Sequence, residues 1–315
     1  MLLEIEDLKV YYRSKKGTVK AVDGVSLRID RGEMVGIVGE SGCGKSTLAY
    51  SIIRLVQGEV RGKILFDGVN LLELSEEKMR RIRGKEIGMV FQDPMTSLDP
   101  LEKIGDQIVE TITEHENVDE ETAMRRVREL LLKVGLPEDR VESYPHQLSG
   151  GQRQRVMIAL AIALNPKLLI ADEPTTALDV IVQERIMDIL EGIKREGKSV
   201  ILITHDLALA SERCDRIAVM YAGWLVEMGK TSEIVKDPLH PYTKGLMDSI
   251  PDLWMKKEVK PMPGNPPDLT DPPKGCRFHP RCPLADDVCR REEPPTVNLG
   301  DRIVRCWRWA NASEG

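Results

Sequence analysis

The stretch GESGCGKST, Gly39 to Thr47, sits directly after the apolar run VGIV and constrains this chain more than any other feature. It fits G-x4-G-K-[ST], a glycine-rich turn whose backbone N–H groups face an anion where a strand gives way to a helix N-terminus. Lys45 is placed to neutralise the β- and γ-phosphates of a nucleotide, and the Ser46 hydroxyl to help hold Mg²⁺. Gly39, Ser41, Gly42, Cys43, Gly44 and Thr47 supply the rest of the cradle.

Three further apolar runs end in residues suited to the same chemistry. IGMVF leads to Gln92, LLIA to Asp172 and Glu173, and VILIT to His205. In a parallel sheet, ligands gather beyond the carboxyl ends of the strands, so these side chains are expected along one edge. A hard cation wants carboxylate oxygen, which makes Asp172 a magnesium partner together with Ser46 and Gln92. Glu173 is placed to polarise an attacking water as general base. Gln92 and His205 are placed to hydrogen-bond that water or the γ-phosphate. In YPHQLSGGQRQRVMIALAIALNP, Ser149, Gly150, Gly151 and Gln152 open a strong helix that stops at Asn165–Pro166, a second N-terminus suited to an anion.

Alternating strand-like and helix-like stretches over residues 1–230 predict an α/β fold with a largely parallel sheet. We divide the chain into a core of residues 1–92 and 166–230, and a helical insert over 93–165. Within the insert, DEETAMRRVRELLLKVGL has Asp119 as N-cap and Gly135 past its end. Residues 231–275 hold one short helix, HPYTKGLMDSIP, and a stretch too rich in proline for a helix or central strand. Residues 276–309 form a cysteine segment. No apolar run approaches the roughly 18 residues that span a bilayer, and MLLEIEDLKV alternates like a strand rather than a signal peptide. A cytosolic chain is expected, any membrane role coming through partners. The net charge of -6 and 4% aromatic content argue against nucleic-acid binding.

Cys276, Cys282, Cys289 and Cys306 have C-x5-C-x6-C-x16-C spacing, unlike zinc ribbons or bacterial ferredoxins. In a reducing compartment, clustered thiols suit Zn²⁺ or an iron–sulfur cluster, with Arg277, Arg281, Arg290, Arg291 and Arg305 offsetting the negative complex. Unligated thiols, a docking module and a redox sensor are the other readings. Four cysteines complete a site without His279. Cys43 and Cys214 read as incidental or core, and His115, His146 and His240 as surface or packing residues.

Taken together, LSGGQ, the phosphate loop, Gln92, LLIADE, the ALD at Ala177–Asp179 and His205 resemble the nucleotide-binding subunit of ABC transporters over residues 1 to about 230. FQDPMTSLDP, YPHQLSGG, ADEPTTALDV, ITHDLALA and HPYTKGLMDSIP narrow this to the ATPases of oligopeptide, dipeptide and nickel importers, closer to the first of that system's two ATPases. The resemblance implies a P-loop NTPase fold binding ATP and Mg²⁺. It implies two such domains head to tail, with Ser149, Gly150, Gly151 and Gln152 serving the partner's nucleotide. Tyr12 matches the aromatic that stacks on adenine, Tyr11 less so, and Asp179 the loop communicating between sites. The expected partners are a second ATPase (a copy or a paralogue), two permease subunits and, indirectly, an extracytoplasmic solute-binding protein, at the cytoplasmic face of the membrane. The segment after Gln92 would transmit motion to the permeases. The cysteine-bearing extension implies a [4Fe–4S] cluster, with Zn²⁺ as the alternative. A soluble ABC ATPase acting on DNA, ribosomes or iron–sulfur assembly is the rival reading; the long coiled coils or tandem ATPase domains usual there are missing from the sequence.

Overall fold

The structure is a computed structural model and describes residues 1–93, 97–250 and 262–310. Two units are distinguished, one of Met1–Asp30, Met34–Leu72 and Thr204–Gly315, the other of Arg31–Glu33 and Glu73–Ile203.

In the first unit β1 (Leu3–Ser14) turns back on β2 (Gly17–Ile29) through Lys15–Lys16, and the chain continues into β3 (Met34–Val38) and α1 (Lys45–Ile52). β4 (Glu59–Phe66) and β5 (Val69–Asn70) complete an antiparallel sheet of order β2-β1-β4-β5. In the second unit α2 (Glu76–Ile82) precedes β6 (Ile87–Val90). The helices α3 (Ile104–His115), α4 (Glu120–Lys133) and α5 (Gly150–Ile162) follow, then β7 (Leu168–Asp172), α6 (Val180–Arg195) and β8 (Ser199–Thr204). β6, β7 and β8 are parallel neighbours. Back in the first unit come α7 (Leu207–Arg213), β9 (Arg216–Tyr221), β10 (Trp224–Lys230), α8 (Thr231–Lys236) and α9 (Pro241–Asp248). The last elements are α10 (Asp287–Arg291), β11 (Thr296–Leu299) and β12 (Arg302–Arg305).

The apolar runs behave as their composition dictates. Every residue of β3, β7 and β8 is buried, as expected of strands covered on both faces. In the insert, Asp119 accepts from the Thr122 N–H at 2.7 Å and caps α4, and Gly135 stands beyond its end at φ +70°. The chain leaves α5 earlier than expected, after Ile162, with Asn165 left-handed at φ +55° before Pro166.

The sheet is less parallel than its alternating pattern suggests. β3 runs parallel to β9, but β10 and β12 add antiparallel and β11 closes the edge, in the order β3-β9-β10-β12-β11. Connection length is the cause, since a two-residue link joins only antiparallel neighbours. Lys15–Lys16 is one such link; Ala222–Gly223, with φ of +48° and +82°, is another, in the primed-turn geometry that matches strand twist. The residues after the proline-rich stretch therefore extend a sheet. Val304 of β12 faces Glu227 of β10, and Val297, Val304 and Cys306 form a small core with Leu239, Leu299 and Trp309. Residues 251–261, which include the first two positions of the proline-rich stretch 260–275, lie outside the described residues.

Gly88 of β6 shows how closely a helix lies on this part of the sheet. A Cβ there would stand 2.1 Å from the Ala161 carbonyl oxygen of α5, a backbone atom that has no room to yield. Gly88→Ala is expected to cost about 2 kcal/mol through overpacking, measured as a lowered denaturation midpoint. Gly192→Ala, where a Cβ meets open space on helix α6, should be neutral or stabilising by up to ~1 kcal/mol.

Candidate functional site

The loop between β3 and α1 is shaped from behind by backbone. Gly44 has φ +105°, and a Cβ there would fall 2.1 Å from the Ala21 carbonyl oxygen; at Gly39 it would fall 2.2 Å from that of Met220. The turn closes with Cys43 N–H donating to Glu40 O at 3.3 Å and Gly223 N–H to Cys43 O at 2.9 Å. Lys45 is buried, its Nζ donating to Gly39 O at 2.8 Å and Glu40 O at 3.1 Å. No side chain caps α1, so its first amides are not claimed by a cap at Gly44. Ser46 and Thr47 are half-buried on its first turn, and Ser41 and Gly42 are exposed. Amides at a helix start, a buried ammonium and a hydroxyl fit a magnesium-bound polyphosphate in donor type. Cys43 is buried, and burial pushes its thiol up to about 11, so it packs as a neutral group.

Tyr12 is half-buried, its ring so close to Gly58 that a Cβ on that glycine would stand 3.0 Å from Cδ1. Tyr11 is engaged otherwise, donating its hydroxyl to Asp23. Burial opposes ionisation of Asp23, but the Tyr11 hydroxyl and the Arg277 guanidinium hold its carboxyl below the usual range. His205 is exposed just past β8, and Asp206 beside it caps α7 through the Leu209 N–H at 3.1 Å. The loop, Tyr12 and His205 thus belong to the first unit.

The second unit holds the remaining candidates. Gln92 is exposed, two residues beyond β6, and Asp172 is fully buried at the end of β7. Glu173 follows at φ +48°, its N–H donating to Ile203 O at 2.9 Å and its carboxylate accepting from the Thr176 hydroxyl at 2.6 Å. A non-glycine residue held left-handed at the carboxyl end of a strand is a local strain of the kind found at functional sites. Asp179 caps α6 through the Val182 N–H at 3.0 Å. Ser149 and Gln152 form a reciprocal capping box at α5: Gln152 N–H donates to Ser149 Oγ at 3.3 Å, and Ser149 N–H to Gln152 Oε1 at 2.9 Å. Gly151 is close-packed, since a Cβ would meet Val182 Cγ1 at 2.4 Å, and Gly150 has more room.

The four cysteines of the extension do converge. Cys276, Cys282, Cys289 and Cys306 line one small cavity with His240, Phe278, His279, Leu284 and Trp307. Cys276 N–H donates to Cys289 O at 2.8 Å, and Asp286 caps α10 through the Cys289 N–H at 3.1 Å. Burial, reinforced by the other three thiols, pushes Cys276 up to about 12. Burial raises Cys282, Cys289 and Cys306 as well. The donor types suit a thiophilic metal, but among the described residues no group of three or more His, Cys, Asp or Glu stands in an arrangement that could hold an ion. His279 Nδ1 lies 2.9 Å from Cys276 O. His240 is fully buried, its Nδ1 accepting from Tyr242 N–H, with burial depressing it to about 3.

The arginines of this segment have partners other than those expected from the sequence. Arg277 pairs with Asp23, Arg281 with Glu40 at 2.7 Å and Arg305 with Glu293 at 3.0 Å. Arg277 and Arg305 also lie against the Trp224 ring, at 4.4 and 3.6 Å from its centroid. Glu40 and Tyr242 are the residues that sequence reasoning missed, and Arg281, expected as a counter-charge for the thiols, bonds Glu40; the only signals were the HPY wording and arginines next to cysteines.

With this geometry in view, comparison with known proteins places the chain. A model described as ABC transporter matches residues 22–176, and one described as oligopeptide/dipeptide transporter, C-terminal region, matches residues 226–289. Over 316 residues the chain is 48% identical to an oligopeptide transport ATP-binding protein, OppD, of Bacillus subtilis, covering 97% of this chain and 88% of that protein. The chain belongs to the ABC transporter ATPases. A dipeptide transport ATP-binding protein, DppD, of Haemophilus influenzae is 47% identical over 97% of this chain and 94% of its own. Among solved structures, a dimeric ATP-binding cassette in a post-hydrolysis state bound to ADP and Pi is similar with a TM-score of 0.68. It is 32% identical, covering 73% of this chain and 99% of its own. Among the described residues of this ABC ATPase, no helix is long and apolar enough to cross a membrane.

Lys45→Ala is the direct test of the loop. It should weaken MgATP binding on the order of 100-fold, the ~3 kcal/mol of a charge-assisted contact, in a titration with a fluorescent ATP analogue. Unchanged binding would remove Lys45 from the phosphate site.

Proposed function

We propose that this ABC ATPase powers uptake of di- and oligopeptides through partner permeases at the cytoplasmic face of the membrane. The observation that carries this reading is the near-full-length similarity to oligopeptide and dipeptide transport ATP-binding proteins, extension included. The partners are a second ATPase, either a copy or a paralogue, and two membrane permeases, with a solute-binding protein acting outside. The coupling role goes to the stretch after Gln92, of which Pro94, Met95 and Thr96 lie outside the described residues.

Residue roles follow from chemistry for the phosphate, magnesium and water contacts, and from the family resemblance for Tyr12, residues 149–152 and Asp179. Gly39–Thr47 binds the phosphates, Lys45 neutralises them, and Tyr12 stacks on the base. Ser46, Gln92 and Asp172 hold magnesium, which screens the polyphosphate charge when bound. Glu173 takes the proton of the attacking water, while Gln92 and His205 orient that water and the γ-phosphate. Ser149, Gly150, Gly151 and Gln152 face the nucleotide of the partner subunit, with their N-terminal amides as donors. Asp179 links the two sites. In the extension, the convergence of four thiols on one cavity, together with the family resemblance, supports a [4Fe–4S] cluster; zinc is the second choice.

Two measurements test these assignments. Glu173→Gln should retain ATP binding while turnover falls by about 10²- to 10⁴-fold; near-normal hydrolysis would remove Glu173 as the base. Anaerobically purified protein carrying a cluster should show a broad visible absorption band, with iron and sulfide in equal amounts. A colourless protein with one zinc per chain would replace the cluster with a structural ion, and neither metal would return the thiols to packing.

A further inference from the structure

The phosphate loop is held by residues of the C-terminal extension. Glu40, the residue after Gly39, is partly buried, and its carboxylate accepts two bonds from the Arg281 guanidinium. Nη1 donates to Oε2 at 2.7 Å and Nη2 to Oε1 at 2.8 Å. This is the two-pronged geometry in which an arginine–carboxylate pair is strongest. Arg281 is itself buried, its Nε donating to Pro263 O at 2.8 Å and its guanidinium lying 5.7 Å from the Tyr221 ring centroid. The Glu40 N–H donates to the hydroxyl of Tyr242 at 3.0 Å, and Tyr242 is fully buried on α9. Phe278, between Cys276 and Cys282, packs edge-on against both Tyr221 and Tyr242 at 5.2 and 5.4 Å.

All three functional groups of Glu40 are thereby committed. Its side chain is held by Arg281, its amide by Tyr242, and its carbonyl accepts from the Lys45 ammonium. A carboxylate one residue from a phosphate site is a hazard, because once released it would repel the polyphosphate electrostatically. Arg281 both neutralises that charge and turns it away from the loop. Cys282, one of the four thiols, is the next residue in the chain. The segment that shapes the thiol cavity therefore also shapes the loop.

We propose that Arg281, assisted by Tyr242, is a positioning residue for the phosphate loop, so that nucleotide binding and the ordering of the four-cysteine segment form one coupled equilibrium. This rests on the reading that Gly39–Thr47 binds the nucleotide. Coupling of this kind is reciprocal: loss of the arginine weakens nucleotide binding, and nucleotide stiffens the segment.

The experiment titrates the full-length chain with a fluorescent ATP analogue and Mg²⁺. In parallel it follows hydrogen–deuterium exchange over residues 276–291 with and without nucleotide. Arg281→Gln should weaken binding by about ten-fold, an ordinary size for coupling between sites. Arg281→Lys should recover part of the loss. The double change Glu40→Gln with Arg281→Gln should recover most of it, because no loose carboxylate remains; a purely structural defect would not be rescued this way. Nucleotide should slow exchange in the segment of the native chain and not in Arg281→Gln. Should Arg281→Gln fail to fold, Tyr242→Phe, which removes one oxygen, gives the same two readouts in the same directions. Binding within two-fold of native in these variants, while Lys45→Ala weakens it on the order of 100-fold, would overturn the positioning role alone. Exchange in the native segment indifferent to nucleotide would overturn the coupling. A native chain that binds no nucleotide would overturn the phosphate-loop reading and the proposal with it.

Discussion

A loop that offers its backbone amides to an anion gives up the hydrogen bonds that would otherwise hold it in shape, so it must be braced from the other side. Here the bracing is backbone against backbone. The carbonyls of Ala21 and Met220 press on the loop where Gly44 and Gly39 have no side chain, and Gly223 N–H ties down Cys43 O. The arrangement requires β2, β9 and the β9–β10 turn to be in place together. The tight Ala222–Gly223 turn supplies that amide and, being two residues long, sends β10 back antiparallel to β9, where β12 pairs with it.

The extension is held to its surroundings by paired charge as well as by apolar contact, Phe278 packing against Tyr221 and Tyr242. Its own hydrophobic core is small. Beside it are the pairs Arg277–Asp23, Arg281–Glu40 and Arg302–Glu227. Glu227 is fully buried and also accepts the Leu239 and His240 amides at 2.8 and 2.9 Å. Burying such groups carries a desolvation cost that only good geometry and further hydrogen bonds offset. Their contribution is specificity of placement, because a fork of donors admits one docking register where a greasy face would admit several.

Features governed by neighbours a few residues away were legible in the sequence. Continuous apolar runs became the buried strands β3, β7 and β8, and Asp119 and Ser149 became N-caps because a cap acts over three residues. Pro241 opened the short helix where the HPY stretch suggested one. What was not legible depended on chain brought from afar. The arginines beside the cysteines looked like counter-charges for a thiolate site, yet their partners lie 254 residues away at Asp23 and 241 away at Glu40. The left-handed backbone at Glu173 is a further case: its N–H is held by Ile203 O on a neighbouring strand, which nothing local announces. The antiparallel sheet of the first 72 residues was hidden because alternation alone does not reveal strand direction.

Those sequence separations bear on how the chain comes off the ribosome. Glu40 is made early and Arg281 about 240 residues later; at the usual 5–20 residues per second this is roughly 12–48 seconds. Throughout that interval the glycine-rich loop exists with its acidic residue unclamped. The glycine-rich loop is thus made about 240 residues before the arginine that clamps it, so a chain truncated by a premature stop before Arg281 would carry every hallmark motif of the cassette and still lack the clamp on its loop.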